Sequence, residues 1–443
     1  MTSSDRDVGA DGEGGDLHLG DVESFVNDSL VVQRLSDFLR AQRYFSDPHL
    51  DEDLRFEVGW WHGSADDLAV ELIVHNGELG LWYVPVILRS VEVDPTSTVR
   101  HDVQVIDLLQ DQRERDALLK VRMPGLSLRG GTRLIDREQS NSAVTVGSDI
   151  FVKLYRRLRQ GTHREVDTLV RLSDGADAPV PKVHDVGVVG GVTVMVAVDY
   201  LPNAHDLYAD CTGGSFDDSE LQVVARRIGS TLADLHRSLR KVTETRVESY
   251  AQIRLSARER MVRSVERCLE HHHDQLGPDE RSRLHDLIGR FSSTDHPLWA
   301  KGPRADVGIR TQLIHGDLHL GQILLEGSAS EGTIAYIDFE GEVLATSQMG
   351  SALDPVERDL GGLQRSFAYV EAMRRINVST STLAPGLLFE ICLEAYRSEL
   401  DSASISDELV HVFAAEKAAY ELEYELLAGR GLVSVPLSYL AEI

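Results

Sequence analysis

The sequence predicts an α+β chain of two lobes, a β-rich N-terminal half followed by a helical C-terminal half. Three observations predict it. Short runs rich in valine, isoleucine and aromatic residues, broken by glycine and polar turns, dominate the stretch before Thr212-Gly213-Gly214. Beyond that point apolar residues recur at helical spacing. The helical half is interrupted by a short β pair around Glu326 to Thr333, and the acid-rich motif of the chain lies on it. At 443 residues the chain is also too long for one compact core.

Residues 1–16 are rich in Gly, Asp and Glu and are expected to form a disordered leader. From Val22 to Tyr44 the apolar spacing predicts a helix. Strands are expected over Leu54 to Trp61, Leu68 to Val74 and Leu79 to Val86. A helix laid on a small sheet makes residues 17–95 one unit, ending at Asp94-Pro95-Thr96-Ser97-Thr98. Residues 96–203 form a second, β-rich unit. It has a short helix near Gln104 to Leu119, strands at Arg133 to Ile135, Ala143 to Val146 and Ile150 to Tyr155, a helix over His163 to Leu172, and two strands flanking Gly190-Gly191. Residues 204–443 make the helical lobe. Its helices are expected at Leu221 to Leu239, Leu255 to His272, Glu280 to Phe291, Asp359 to Arg375, Leu387 to Leu400 and Asp407 to Leu427. No internal repeat is visible.

Hydrophobic residues make up 42%, ordinary for a folded soluble protein, and the formal charge is −27. Such a surface repels phosphate backbones and anionic lipid, so neither nucleic acid nor a membrane is an expected partner. Cys211, Cys268 and Cys392 are far apart and odd in number, which argues against a disulfide framework and suits a reducing cytoplasm. The N-terminus has no signal-peptide pattern, and no apolar run is long enough to span a bilayer. A cytoplasmic monomer is expected.

The motif is Ile314-His315-Gly316-Asp317-Leu318-His319-Leu320-Gly321-Gln322, followed by Tyr336-Ile337-Asp338-Phe339-Glu340. An acid five residues before an amide, with a second acid after an apolar run, fits phosphoryl transfer from ATP. Asp317 is the candidate base, orienting the attacking hydroxyl and accepting its proton. Gln322 and Asp338 would hold Mg2+ through oxygen, with Glu340 as a further carboxylate. The plainer reading is a turn acid and an unrelated strand acid, but an unpaired Asp338 after Ile334-Ala335-Tyr336-Ile337 would be costly to bury. His315 and His319 also admit a transition-metal reading, a metallohydrolase, which needs a third histidine. His271-His272-His273 could supply it but reads more simply as a solvated helix face. That alternative leaves Lys153 and Asp338 unexplained.

Upstream, Lys153 lies in an apolar strand and Glu165 follows on a predicted helix, the pairing that holds ATP phosphates. A lone strand lysine is more often a solvent residue. Gln139-Ser140-Asn141-Ser142 sits where a phosphate-covering loop belongs. Ser140, Asn141 and Ser142 could serve through backbone N–H groups and hydroxyls, or simply form a polar turn. Val198, Asp199, Tyr200 and Leu201 are expected to form a hinge meeting adenine through backbone groups. On the last long helix Glu416, Tyr420 and Tyr424 share one face, with Glu423 beside it. Rings and carboxylates along one stripe can cradle a sugar, and a core stripe with solvated acids is the plainer alternative.

At these residues the chain resembles the maltokinase-like sugar kinases of actinobacteria. These are similar to the aminoglycoside phosphotransferases and share the eukaryotic-protein-kinase-like bilobal fold. The likeness is carried by Gln139-Ser140-Asn141-Ser142, Val152 to Arg157, Gln312 to Gln322, Ile337 to Glu342, Arg358-Asp359-Leu360, Arg365-Ser366-Phe367 and Glu416 to Glu421. It covers about residues 130–443; before that, Leu39 to Tyr44 resembles a degenerate form of the family's opening. The resemblance implies an N-terminal cap subdomain (17–95), an intermediate β subdomain completing the N-lobe (96–203) and a helical C-lobe (204–443) with the catalytic and sugar site. It also implies ATP as phosphoryl donor, Mg2+ as cofactor and a small sugar or amino sugar as acceptor. Asp317, His319, Asp359, Arg365, Glu416, Tyr420 and Tyr424 are then the acceptor residues. The chain departs from ordinary maltokinases in its cap, including Trp60-Trp61, and resembles the glucosamine kinases more closely. The expected reaction is glucosamine to glucosamine 6-phosphate. Maltose or an aminoglycoside is the alternative acceptor, and a pseudokinase-like sugar sensor is the non-catalytic one.

Overall fold

The computed structural model describes residues 17–42, 44–45, 54–64, 66–76, 80–92, 101–135, 141–159, 161, 163–175, 177–300, 307–342, 353–378, 381–400, 405–428 and 433–443. The acidic leader, Arg43, the boundary at 94–98 and Gln139-Ser140 lie outside the described residues. The chain divides into two compact units, one within 1–167 and 182–202, the other within 168–181 and 203–443.

In the first unit the apolar run expected to be one helix is two, α1 (Leu19–Val26) and α2 (Ser29–Arg40). The break is chemical: the Asp28 carboxylate accepts the Leu30 N–H at 2.9 Å and caps α2. Next come β1 (Leu54–Ser64), β2 (Asp67–Asn76), β3 (Gly80–Glu92) and β4 (His101–Asp107), antiparallel in that order. Alternation puts Leu68, Val70, Leu72 and Val74 with Val84, Val86 and Leu88 in one buried cluster with Val22, Val26, Val31, Leu35 and Leu39. Pro85, inside β3, falls in the gap between two partners. Residues 81–82 pair with β8 (Arg157–Leu158) and 86–92 with β4, so on that edge the missing N–H is not needed.

The segment 104–107, expected to be helical, is the end of strand β4, because alternating Val103 and Val105 give it a strand period. Helix α3 (Gln112–Arg122) starts only where Asp111 caps it, accepting from the N–H groups of Arg113 (2.8 Å) and Glu114 (3.2 Å). A second antiparallel sheet follows. It is built from β5 (Thr132–Ile135), β6 (Ser142–Val146), β7 (Ile150–Leu154), β9 (Val183–Val189) and β10 (Val192–Asp199), in the order β5-β6-β7-β10-β9. Helix α4 (Arg164–Gly175) carries the chain between β8 and β9.

The second unit is mainly helical. It contains β11 (Ala204–Asp206), α5 (Leu207–Gly213), α6 (Asp218–Val242), β12 (Arg246–Ser249), α7 (Tyr250–His271), α8 (Pro278–Ser292), the single turn α9 (Pro297–Ala300) and β13 (Gly308–Thr311). After these come β14 (Ile323–Glu326), β15 (Thr333–Tyr336), α10 (Glu357–Asn377), α11 (Leu387–Ser398), α12 (Asp407–Ala428) and α13 (Ser434–Glu442). Strands β11, β14 and β15 form one small sheet, and β12 pairs with β13. Helix α12 is the core element. Leu409, Val412, Phe413, Ala415, Ala418, Ala419 and Leu422 are all buried with residues of α7, α8 and α13, as befits a helix apolar on most of its circumference.

Candidate active site

The loop between β13 and β14 carries the motif, and buried polar groups fix its path. Gly316 adopts φ +86, a conformation natural to glycine. On either side of the turn the N–H groups of His315 (2.8 Å) and Gly316 (2.9 Å) donate to the two oxygens of Asp359, in the first turn of α10. His236 on α6 bonds the same carboxylate through Nε2 at 3.0 Å, and its Nδ1 meets the Tyr396 hydroxyl at 2.8 Å. Burial alone would raise the Asp359 pKa, but the His236 bond and charge, with His315 and the Gly316 N–H, hold it below the usual carboxylate range. Gly362 makes the approach possible, since a Cβ there would stand 2.4 Å from the Leu318 carbonyl oxygen. Asp359, expected at the sugar, therefore has a different place. It is 1% exposed and bonded through both oxygens, and it braces the loop from below.

His315 is fully buried. Its Nε2–H donates to the Ile337 carbonyl at 2.8 Å, and its Nδ1 accepts from the Asp317 N–H at 3.4 Å. His319 accepts the Gly321 N–H on Nδ1 at 3.1 Å. Burial, the largest influence on both rings, lowers both pKa values and keeps them neutral. With both ring nitrogens of His315 engaged, the transition-metal reading loses its first ligand.

Asp317 projects from this loop, and the second unit surrounds it with charge. The Lys417 ammonium on α12 stands 2.5 Å from Asp317 Oδ1 and 3.3 Å from Glu342 Oε1. Arg358 Nη2 reaches Glu342 at 3.5 Å and Glu416 at 2.6 Å, and Arg260 grips Glu416 through two bonds of 2.7 and 3.0 Å. Acid and base thus alternate from Asp317 to Arg260 around a small recess that Phe413 and Gly362 also line. Burial pushes the Asp317 pKa up, but Lys417 and then His319 outweigh it, leaving the carboxyl below its ordinary 3.8 and ionised at neutral pH.

Gln322 and Asp338 meet across the β14–β15 hairpin, the Gln322 Nε2 donating to Asp338 Oδ2 at 2.9 Å. Asp338 has φ +66, alone among non-glycine residues described, a strained placement of the kind found at functional sites. Carboxylate oxygens of Asp338 and Glu340 lie within 4.8 Å of each other. An amide and two carboxylates gathered in this way form a hard, oxygen-rich donor set that fits Mg2+.

In the N-terminal unit Lys153 on β7 bonds Glu165 on α4 at 2.8 Å, and the Tyr155 hydroxyl donates to the same oxygen at 2.7 Å. Asn141 and Ser142 are turned inward. Asn141 Oδ1 accepts the Arg156 N–H at 3.2 Å and Ser142 Oγ accepts from Arg156 Nε at 2.8 Å. Arg156, 1% exposed, also pairs with Asp107 at 2.5 Å. These bonds tie Asn141 and Ser142 to Arg156 at the end of the sheet. Val198 lies in β10, Asp199 closes that strand, accepts from the Lys182 N–H (3.0 Å) and bonds His184 (2.7 Å), and Tyr200 stacks on Phe151, with Leu201 next to the end of the unit at Pro202.

On α12, Tyr420 and Tyr424 are half-buried and stacked at 6.4 Å, and the Lys417 ammonium lies 4.3 Å above the Tyr420 ring. Glu416 lines the recess, though its oxygens are held by two arginines. Glu423 faces Arg267 in a 2.6 Å pair. Arg365, expected at the sugar, is 3% exposed. It pairs with Glu421 at 2.8 Å and lies over the rings of Tyr439 and Tyr369, so it fastens α10 to α12 and α13.

Sequence reasoning assigned no part to Lys417, Glu342, Arg358, Arg260 or His236. One signal was available: Lys417 is flanked by Ala414, Ala415, Ala418 and Ala419, and a lysine on so apolar a helix must find an acid.

Residues 131–345 match the phosphotransferase enzyme family. A glucosamine kinase of Mycolicibacterium smegmatis is 26% identical over 275 residues, 59% of this chain and 64% of that relative. Two solved structures share the fold. A glucosamine kinase in complex with glucosamine, ADP and inorganic phosphate superposes with TM-score 0.58 at 18% identity, over 92% of this chain and 98% of that one. Another crystal form of glucosamine kinase gives TM-score 0.56 at 19% identity, over 89% and 92%. The chain has the fold of these structures, with antiparallel sheets in its first unit and mainly helices in its second. No helix among the described residues is long and apolar enough to cross a membrane.

Proposed function

We propose that this chain, with its phosphotransferase-family match over residues 131–345, is an ATP-dependent sugar kinase that phosphorylates glucosamine to glucosamine 6-phosphate. The observation that carries the chemistry is the 2.9 Å meeting of Gln322 and Asp338 beside a loop that presents ionised Asp317. The acceptor rests on the similarity to glucosamine kinases.

In this reading Asp317 takes the proton of the acceptor hydroxyl as its oxygen bonds the γ-phosphorus, and the bond from that phosphorus to the ADP oxygen breaks. Gln322, Asp338 and Glu340 would hold Mg2+. When bound, the ion neutralises phosphate charge and orients the donor. Lys153, fixed by Glu165 and Tyr155, would contact the α- and β-phosphates, with the backbone of 140–142 above them and Val198 to Leu201 beside adenine. Tyr420 would cover an apolar sugar face.

The test is coupled ADP release with Mg2+-ATP and glucosamine, N-acetylglucosamine, glucose, maltose or an aminoglycoside, with Asp317→Asn as control. Strong turnover on glucosamine is expected. Preference for maltose or the aminoglycoside would reassign the acceptor. Nucleotide binding with silence on all five would replace the kinase with a sugar sensor.

A further inference from the structure

Lys417 holds the oxygen that the base needs. Its ammonium is 2.5 Å from Asp317 Oδ1, and the side chain is only 12% exposed. An ammonium has three donors and no acceptor, and a carboxylate oxygen so closely engaged is a poor proton acceptor. The lysine also has a second seat. Glu342 Oε1 lies 3.3 Å away, and the Tyr420 ring centroid is 4.3 Å below the nitrogen. Glu342 has room for it, since its other cation, Arg358, stands 3.5 Å off and bonds Glu416 at 2.6 Å instead. A four-carbon stem with rotatable donors can move between two such seats without returning the charge to water, which would be unfavourable from a buried site.

We propose that Lys417 is a latch on Asp317, a positioning residue that suppresses phosphoryl transfer to water until an acceptor sugar takes its place. The inference rests on the kinase reading of this site. The reaction held in check is balanced within what a kinase binds. A water O–H bond breaks, its proton goes to Asp317, the oxygen bonds the γ-phosphorus, and the bond to ADP breaks, giving ADP and inorganic phosphate. Water brings a single oxygen to compete for Oδ1. A sugar fixed by several hydroxyls brings a positioned one, and the lysine then shifts onto Glu342 and Tyr420 with its charge still paired.

The experiment measures ADP release from Mg2+-ATP with and without glucosamine in three full-length variants. In Lys417→Met the ratio of sugar-independent to sugar-stimulated release should rise about tenfold or more. Lys417→Arg should keep the ratio low. Glu342→Gln removes the second seat, so the KM for sugar should rise while sugar-independent release stays at or below wild type. If Lys417→Met kept the wild-type ratio, or lost both rates in parallel as a structural residue would, the latch would be overturned. Should Lys417→Met fail to fold, Glu342→Gln decides, because an unchanged KM for sugar in that variant refutes the exchange of seats. Wild-type protein without sugar-stimulated release on any of the five acceptors would overturn the kinase reading and the latch together. Stimulated wild type with an unaltered Lys417→Met ratio would overturn the latch alone.

Discussion

Lys153 and Lys417 are both largely buried ammonium groups close to a carboxylate, at 2.8 and 2.5 Å, yet they are built differently. Lys153 meets Glu165 twelve residues away, and Tyr155 donates to the same oxygen, so that pair is braced within one strand and one helix. Lys417 meets Asp317 across one hundred residues and divides itself between two acids. The first is a strut and the second is a contact that can be exchanged. Burial therefore does not by itself make an ion pair rigid; what decides is how many donors and acceptors over-determine it.

The largest loss is expected at Asp317. Asp317→Asn should lower sugar-dependent turnover about 10³-fold while leaving ATP binding intact, because general-base catalysis contributes about 10²–10⁴. The pH profile sharpens the same point. Lys417 and His319 hold the Asp317 pKa below 3.8 against the effect of burial, so the base stays ionised from neutral to mildly acidic pH. Its contribution should be lost only as pH falls through that depressed value. In kcat/KM, which reports the free enzyme with Lys417 on Asp317, an acid limb near pH 6 would belong to another group.

At the strut the expected loss is smaller and of another kind. Glu165→Gln removes the carboxylate charge that faces Lys153, so the KM for ATP should rise about tenfold, the worth of one charge-assisted hydrogen bond of about 1.5 kcal/mol. Turnover at saturating ATP should change less. If turnover fell and KM did not, the pair would act in the chemical step instead of in nucleotide binding.

Asp359→Asn tests the brace beneath the loop. The amide keeps one acceptor oxygen for the two loop N–H groups and loses the charge that faces His236. Stability should fall by about 3 kcal/mol by denaturant titration, with kcat affected through loop position and the KM for sugar little changed. A large rise in sugar KM with unchanged stability would return Asp359 to the acceptor site.

What could be read in the sequence follows the same division by distance. Asp317, Gln322, Asp338 and Glu340 fall within 24 residues, and Lys153 and Glu165 within 13, so spacing alone proposed these sets. The β-rich and helical halves were legible from periodicity. The single helix expected over 22–44 failed because Asp28 caps a new helix inside a continuous apolar pattern. The helix expected from 104 failed because Val103 and Val105 extend a strand whose partner, β3, lies earlier in the chain. Asp359 and Arg365 were expected at the sugar from the family resemblance alone. The sequence contains nothing to show that His236, 123 residues before Asp359, and Glu421, 56 residues after Arg365, would engage them.

Arg365 offers the mildest test and separates the two functions a buried charge can have. Its guanidinium bonds Glu421 at 2.8 and 3.2 Å and covers the Tyr439 ring at 4.1 Å. Arg365→Met fills similar volume, keeps the ring contact, and leaves Glu421, at 18% exposure, able to reach solvent. The cost should therefore stay at the low end for a broken buried pair, about 3 kcal/mol by denaturant titration, and the KM for sugar should stay within about twofold of wild type. A tenfold rise in sugar KM at unchanged stability would extend the acceptor site along α10 and make Arg365 part of it. The expected result leaves Arg365 as a fastening between α10, α12 and α13.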